Sequence, residues 1–284
     1  MRFHILGAGA IGSLLATILA DNGQQISIIN RARNSRVKVT RRSQDIINTY
    51  EFEGFDPATP ISCLLICTKA QDVVTALQSF AQYLSPTTQI IDLANGMGHQ
   101  HQLADIFDSY QILSGTISYG AYWLDHVLIF AGQGDVHIGA LDGSRLPPQA
   151  QLPQPFTWSE NINERLWTKL AINCAINPLT VIYQCSNGLL LHITEAMKQI
   201  ELICSEVEKV AAIAGVRLSR TRQAALEVIE RTAQNQSSTL QDFLNGKNLE
   251  LDYINGYIVT KAKQIGLDTP ANQQVLQKIS QLMN

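Results

Sequence analysis

Lys169, Asn173 and Asn177 recur at every fourth residue of Glu164–Pro178, a stretch that is otherwise almost wholly apolar. At about 100° per residue these side chains fall on one narrow, slowly drifting stripe of a helix. Leu166, Trp167, Leu170, Ile172, Ala175 and Ile176 cover most other directions. Such a helix is expected to be buried, and a buried ammonium with two amides needs partners. An ammonium can stabilise and protonate a developing alkoxide, and neutral amides offer directed hydrogen bonds to the oxygens of a small substrate. A solvated helix face is the other reading of the stripe.

Further along, Asn235, Ser238 and Glu250 stand in a polar stretch between helical segments. Glu250 is expected to open a helix, where a carboxylate could simply serve the dipole. Asn235 and Ser238 could cap the segment Ser238–Leu244.

A second kind of chemistry is written near the start. Gly7-Ala8-Gly9-Ala10-Ile11-Gly12 follows a short apolar strand and opens a helix. Three glycines at this spacing allow a tight turn, close approach of a pyrophosphate and close helix–strand packing, with the helix N-terminus facing the phosphates. A dinucleotide enzyme that uses NAD usually carries Asp or Glu at the end of the next strand. This chain has Asn30-Arg31-Ala32-Arg33 there, with Arg36 close behind. A missing carboxylate and several guanidiniums favour a 2′-phosphate, hence NADPH. Thr68-Lys69-Ala70-Gln71 and Asn95-Gly96-Met97-Gly98 end two later strands, the edge where ligands bind such sheets, so Lys69 and Asn95 are candidate contacts.

The elements that must position these residues change character along the chain. Strands are expected at Phe3–Leu6, Gln25–Asn30, Cys63–Thr68, Gln89–Leu93 and Ile112–Ser118, with helices between, notably Ile11–Asp21 and Asp72–Leu84. Val127–Ala131 and Asp135–Ile138, separated by Gly132 and Gly134, read as a hairpin. Leu146–Phe156 holds four of the nine prolines and reads as a loop. From about Asn161 the strands stop, and Asn163–Gln184, Thr194–Ala214, Thr221–Gln234 and Leu249–Ile265 carry helical periodicity. Gly215 and Gly266 sit where C-terminal caps belong. The fold expected is α/β: a Rossmann-type doubly wound sheet over residues 1–160 and an all-α domain over 161–284, with ligands in a cleft between them.

Bulk properties narrow the partners. A formal charge of −3 in 284 residues gives no support for nucleic acid or an anionic membrane. No apolar run approaches the roughly 20 residues that span a bilayer. Met1-Arg2 leads straight into a strand, so no leader is expected and the location read is cytoplasmic. The five cysteines lie in apolar segments without metal-ligand spacing and read as reduced core residues, and no metal is expected.

Taken together, the motifs resemble those of the ketopantoate reductases (2-dehydropantoate 2-reductases). The resemblance rests on GAGAIG at Gly7–Gly12, TKAQ at Thr68–Gln71, NGMG at Asn95–Gly98, WTKLAINCAINPLT at Trp167–Thr180, CSNG at Cys185–Gly188, SSTLQD at Ser237–Asp242 and ELDYINGY at Glu250–Tyr257. It implies that Lys169 is the catalytic acid and that Glu250 engages the substrate hydroxyl and lies against the cofactor. It further implies amide contacts from Asn95, Asn173, Asn177 and Asn187, with Ser238 holding the carboxylate and Asn235 nearby. Arg31 and Lys69 would meet NADPH. The implied reaction reduces 2-dehydropantoate to (R)-pantoate with NADPH, a step toward pantothenate and coenzyme A. A reductase of another branched 2-oxo acid and a non-catalytic NADP-binding sensor are the rival readings. Tyr119 stands where many members carry a smaller residue or His, which bears on pocket shape. The apolar helices of the second domain could support a homodimer.

Overall fold

The computed structural model of the chain describes residues 2–30, 36–141 and 152–283. In chain order the first part forms β1 (Arg2–Leu6), α1 (Ala10–Asp21), β2 (Gln25–Ile29), β3 (Val37–Ser43), β4 (Ile46–Phe52), β5 (Cys63–Ile66), α2 (Val73–Gln78), β6 (Gln89–Asp92), α3 (His99–Ile106), β7 (Ile112–Ile117), β8 (Gly120–Leu124), β9 (Val127–Gly132), β10 (Val136–Gly139) and β11 (Phe156–Trp158). Helices follow: α4 (Ile162–Tyr183), α5 (Thr194–Ile213), α6 (Thr221–Arg231), α7 (Ser238–Leu244), α8 (Asn255–Gln264) and α9 (Pro270–Met283). The chain divides into two compact units, Met1–Asn95 with His99–Ile162, and Gly96–Gly98 with Asn163–Asn284.

The first unit is built on a seven-stranded sheet in the order β11-β10-β7-β6-β5-β1-β2. Strands β2, β1, β5, β6 and β7 run parallel, and β10 is antiparallel to β7. The sequence shows why both faces are covered. Phe3 and Ile5 of β1, Ile28 of β2 and Leu65 of β5 pack with Leu14, Leu15 and Leu19 of α1. The alternate residues Leu6, Ile29, Leu64 and Ile66 pack with Val73, Leu77 and Leu103 of α2 and α3. A strand buried on both faces reads as a continuous apolar run, and each fully buried Leu or Ile contributes about 1.5–3 kcal/mol.

A second, four-stranded sheet has the order β4-β3-β9-β8. It is pinned to α1 by Arg41, whose guanidinium donates to Thr17 Oγ1 and Asp21 Oδ2 at 2.8 and 2.7 Å, and by the Tyr50 hydroxyl, which donates to Asp21 Oδ1 at 2.8 Å. This sheet corrects the hairpin expected at Val127–Ala131 and Asp135–Ile138: β9 belongs to the four-stranded sheet and β10 to the large one. The glycines there serve a change of sheet. A side chain at Gly134 would stand 2.4 Å from the backbone of Ser118 and Tyr119. The hairpin partner of β9 is β8, joined through Asp125 and His126, both at positive φ (47° and 63°). The helix expected over Asp72–Leu84 is shorter, α2 flanked by single 3-10 turns at Ala70–Asp72 and Ala81–Tyr83.

In the second unit α4 is buried on nearly every side: Leu166, Trp167, Leu170, Cys174, Ala175, Leu179 and Val181 are all within the core. Helices α5 and α8 end on Gly215 and Gly266 at φ +83° and +72°. Val216 N–H returns to the Ala211 carbonyl at 2.8 Å and Leu267 N–H to that of Ala262 at 2.9 Å, closing the last turns. Among the described residues no helix is long and apolar enough to cross a membrane.

Candidate active site

In the first unit the strand order reverses between β1 and β5, the place where open α/β sheets bind ligands at their carboxyl ends. Gly7 leaves β1 at φ +116°, and a Cβ there would lie 2.8 Å from the Cys67 carbonyl oxygen. At Gly12 a Cβ would fall 2.1 Å from the Gly7 oxygen, so helix and loop meet backbone to backbone. Gly9 differs: a Cβ there would meet nothing within 4 Å among the described residues. It is the N-cap of α1, whose first turn has no side-chain cap and no acidic residue. The first N–H groups of α1 thus have no side-chain cap, and its positive dipole end suits an anion.

Two buried polar atoms border this loop. Asn30 Oδ1, after β2, and Thr68 Oγ1, after β5, have no hydrogen-bond partner among the described residues. Buried polar atoms in a folded protein normally have partners, so these are open to a bound group. The arginines Arg31 and Arg33 lie outside the described residues. Lys69 is half-buried and precedes the 3-10 turn Ala70–Asp72. Beneath the loop, burial and the nearby Asp92 carboxylate push the Cys67 thiol up to about 12, so it acts as an apolar floor. Asn95 is half-buried in the loop after β6, where the Ala94 N–H donates to Asp92 Oδ1 at 3.1 Å.

The second unit carries the helix stripe. Lys169 and Asn173 are half-buried and Asn177 is buried, on a helix whose other faces lie in the core. Burial lowers the Lys169 ammonium to about 8 from the ordinary 10.5, against the opposing pull of the Glu250 carboxylate. Glu250 does not open a helix as expected. It precedes the 3-10 turn Leu251–Tyr253, and α8 begins only at Asn255. The carboxylate is thus not serving the first turn of an α-helix. Its segment is held by the backbone: Met97 N–H donates to the Tyr253 carbonyl at 2.8 Å, and a Cβ on Gly96 would strike that oxygen at 2.5 Å.

The cap of α7 is also reassigned. Ser237, not Ser238 or Asn235, accepts the Leu240 N–H at 3.0 Å, and its hydroxyl meets Thr180 Oγ1 of α4 at 2.7 Å. Ser238 is left exposed at the first helical position. Asn187 N–H donates to the Asn235 carbonyl at 2.9 Å, bringing those two candidates together, while Asn187 Oδ1 is buried without a partner among the described residues. Among the described residues no three His, Cys, Asp or Glu side chains are grouped to hold a metal ion.

Two family models, described as ketopantoate reductase PanE/ApbA and ketopantoate reductase PanE/ApbA C terminal, match residues 3–143 and 161–283. The chain belongs to the ketopantoate reductase family. A 2-dehydropantoate 2-reductase of Vibrio cholerae serotype O1 is 33% identical over 292 residues, covering 99% of this chain and 98% of that protein. One from Escherichia coli O157:H7 is 34% identical over 290 residues, covering 98% and 94%. Among solved structures, D-mandelate dehydrogenase with NADH and anilino(oxo)acetate matches with TM-score 0.91 at 21% identity, over 99% of this chain and 97% of that one. That match is a likeness of fold. For this ketopantoate reductase family member, Ser237, Thr180, Asn30 and Thr68 stand in the sequence only as parts of motifs, and the structure adds them as candidates. Their signal is burial of a polar side chain, which no periodicity reveals.

Proposed function

We propose that the chain reduces 2-dehydropantoate to (R)-pantoate with NADPH, with the first unit holding the nucleotide and the second the 2-oxo acid. The observation that carries this reading is Lys169: an ammonium on a buried helix, shifted to about 8 beside the Glu250 carboxylate. Gly7–Gly12 would take the pyrophosphate at the N-terminus of α1, with Asn30, Thr68 and Lys69 bordering the nucleotide and Asn95 near its nicotinamide end. When bound, the reduced nicotinamide supplies a hydride to the 2-oxo carbon.

The chain's own residues do the rest. As the carbonyl carbon becomes tetrahedral, negative charge grows on its oxygen, and the Lys169 ammonium stabilises that charge and delivers the proton. Lys169 is left neutral and regains its proton from solvent. Glu250 accepts a hydrogen bond from the substrate hydroxyl and holds the ammonium in place. Asn173, Asn177, Asn187 and Asn235 give the remaining oxygens directed partners, and Ser238 serves the carboxylate, near the N-terminus of α7.

Turnover decides the substrate. Purified protein is assayed for loss of reduced nicotinamide with 2-dehydropantoate, 2-oxoisovalerate, 2-oxopantoyl lactone and a bulky aromatic 2-oxo acid. Highest kcat/KM with 2-dehydropantoate is expected, and preference for any other compound replaces this reading. A protein that binds NADPH tightly and turns over none of them is a sensor.

Two finer expectations belong to this assignment. The acid must carry its proton, so log kcat/KM stays level below pH about 8 and falls above it, a limb belonging to a lysine lowered from 10.5. A profile level to pH 10 removes Lys169 from the acid's role. The choice of NADPH rests on the guanidiniums after β2. Arg31→Ala is expected to weaken NADPH by about ten- to a hundredfold, the worth of a charge-assisted phosphate contact, and to leave NADH unchanged. Equal losses for both nucleotides in steady-state kinetics refute a 2′-phosphate contact.

A further inference from the structure

Pro178 stands inside α4. Proline has no N–H, so the carbonyl four residues earlier, that of Cys174, loses its helical partner. Cys174 is fully buried, where water cannot replace the missing donor. Another element replaces it: Asn255 Nδ2 donates to the Cys174 oxygen at 3.1 Å.

That amide is itself held by a buried chain. Asn255 Nδ2 also donates to Asn272 Oδ1 at 2.9 Å, and Asn272 Nδ2 donates to Glu206 Oε2 at 2.8 Å. The N–H groups of Ala271 and Asn272 reach the same carboxylate at 2.8 and 3.0 Å. With three N–H donors pointing at it, Glu206 acts as an acceptor. It therefore fixes which way the Asn272 amide faces, and Asn272 fixes Asn255. Asn255 and Asn272 are both 0% exposed.

Alanine in place of Pro178, with an apolar residue in place of Asn255, would satisfy the same helix without burying an amide. The Pro178–Asn255 pair instead replaces a bond within α4 by a bond between α4 and the Glu250–Tyr257 segment. Its acceptor lies one residue beyond Asn173 and five beyond Lys169, and its donor lies five beyond Glu250. We propose that Asn255 is a positioning residue: by filling the carbonyl that Pro178 leaves open, it registers the Glu250 segment against the Lys169 helix. The catalytic consequence rests on the function proposed above, whereas the tether itself does not.

Wild type, Pro178→Ala, Asn255→Ala and the double variant separate the tether from mere stability. Replacing Pro178 by alanine restores an N–H for the Cys174 carbonyl. Asn255→Ala should therefore lower the urea midpoint clearly in the wild-type background and much less in the Pro178→Ala background. Pro178→Ala alone should keep kcat near wild type, because the Cys174 carbonyl oxygen has a second lone pair on which Asn255 can stay. Asn255→Ala should lower kcat on the order of ten- to a hundredfold, the effect of a misplaced catalytic group. In the double variant the part of the stability owed to the Cys174 carbonyl returns, the loss of the Asn272 Oδ1 donor remains, and kcat stays low. The side-chain carbon resonances of Lys169, titrated by NMR, should move to lower pKa in both Asn255→Ala proteins as the Glu250 carboxylate loses its register. If the single variant does not fold, the double variant supplies the titration. Equal stability costs in the two backgrounds, kcat returning together with stability, or an unmoved Lys169 titration each overturns the proposal. Absence of turnover in the wild type would end the ketopantoate reading alone, since the stability coupling and the titration need no substrate.

Discussion

Lys169→Met is expected to lower kcat/KM with 2-dehydropantoate by about 10²–10⁴ while making the folded protein more stable. The two effects share one cause. Burial lowers the Lys169 ammonium to about 8 from 10.5, although the Glu250 carboxylate pulls the other way. A lysine whose folded value lies below its unfolded value destabilises the fold wherever it is charged in both states, here below pH about 8. The deficit is regained between about 8 and 10.5, where only the unfolded chain holds the proton. Methionine matches the length of the stem and carries no charge, so it removes the deficit. The gain at neutral pH is on the order of 1–3 kcal/mol. It should shrink as pH rises past 8, because by then the wild-type lysine is neutral too. Urea unfolding at pH 7 and pH 9.5, paired with steady-state kinetics, reads both halves. A variant that is inactive and also less stable at pH 7 means that Lys169 is a structural partner of Glu250, and the acid must be sought elsewhere.

Much of this arrangement can be read from the residues, because it follows local rules. The Gly7–Gly12 loop sits between β1 and α1 because an apolar run, a glycine turn and a helix follow one another directly. The stripe of α4 is legible because the other directions of that helix are apolar and go into the core. The change from alternating elements to helices near Asn161 is equally local. What fails is turn chemistry and long-range pairing. The β3–β4 and β8–β9 hairpins escape notice because their turns use Gln44, Asp125 and His126 at positive φ in place of glycine. Gly132 and Gly134 mislead for the converse reason: they look like a hairpin turn, yet backbone crowding at Ser118 explains Gly134. Glu250 looks like the start of a helix because the break at Ile254, with φ −111° and ψ −99°, leaves no mark in residue type. The Asn255 network joins segments far apart in the chain, and a buried amide carries no period.

Gly12→Ala and Gly9→Ala, three residues apart in one loop, are expected to fail in opposite ways. At Gly12 the new methyl would lie 2.1 Å from the Gly7 carbonyl oxygen and 3.2 Å from Cys67 Cβ. The obstacle at Gly7 is backbone, so α1 must move away from β1 and β5 and disturb the packing of Leu14, Leu15 and Leu19. Overpacking of this kind costs about 1–3 kcal/mol, and a fixed backbone on one side places this case at the upper end. The protein melts several degrees lower and binds NADPH poorly because the loop is displaced. At Gly9 the backbone has φ −69°, which alanine adopts freely, and the methyl meets no atom of the described residues within 4 Å. Stability should stay within about 0.5 kcal/mol of wild type. The methyl instead occupies the space in front of the α1 N-terminus, where a pyrophosphate must approach the backbone, so NADPH affinity should fall roughly tenfold or more. Thermal melts and nucleotide titrations on the two variants give a two-by-two outcome. If Gly9→Ala binds NADPH as wild type does, the loop is a packing turn between β1 and α1, and the nucleotide's phosphates bind elsewhere. If Gly9→Ala loses affinity while its melt is unchanged, the openness at Gly9 is a binding feature and the closeness at Gly12 a folding one.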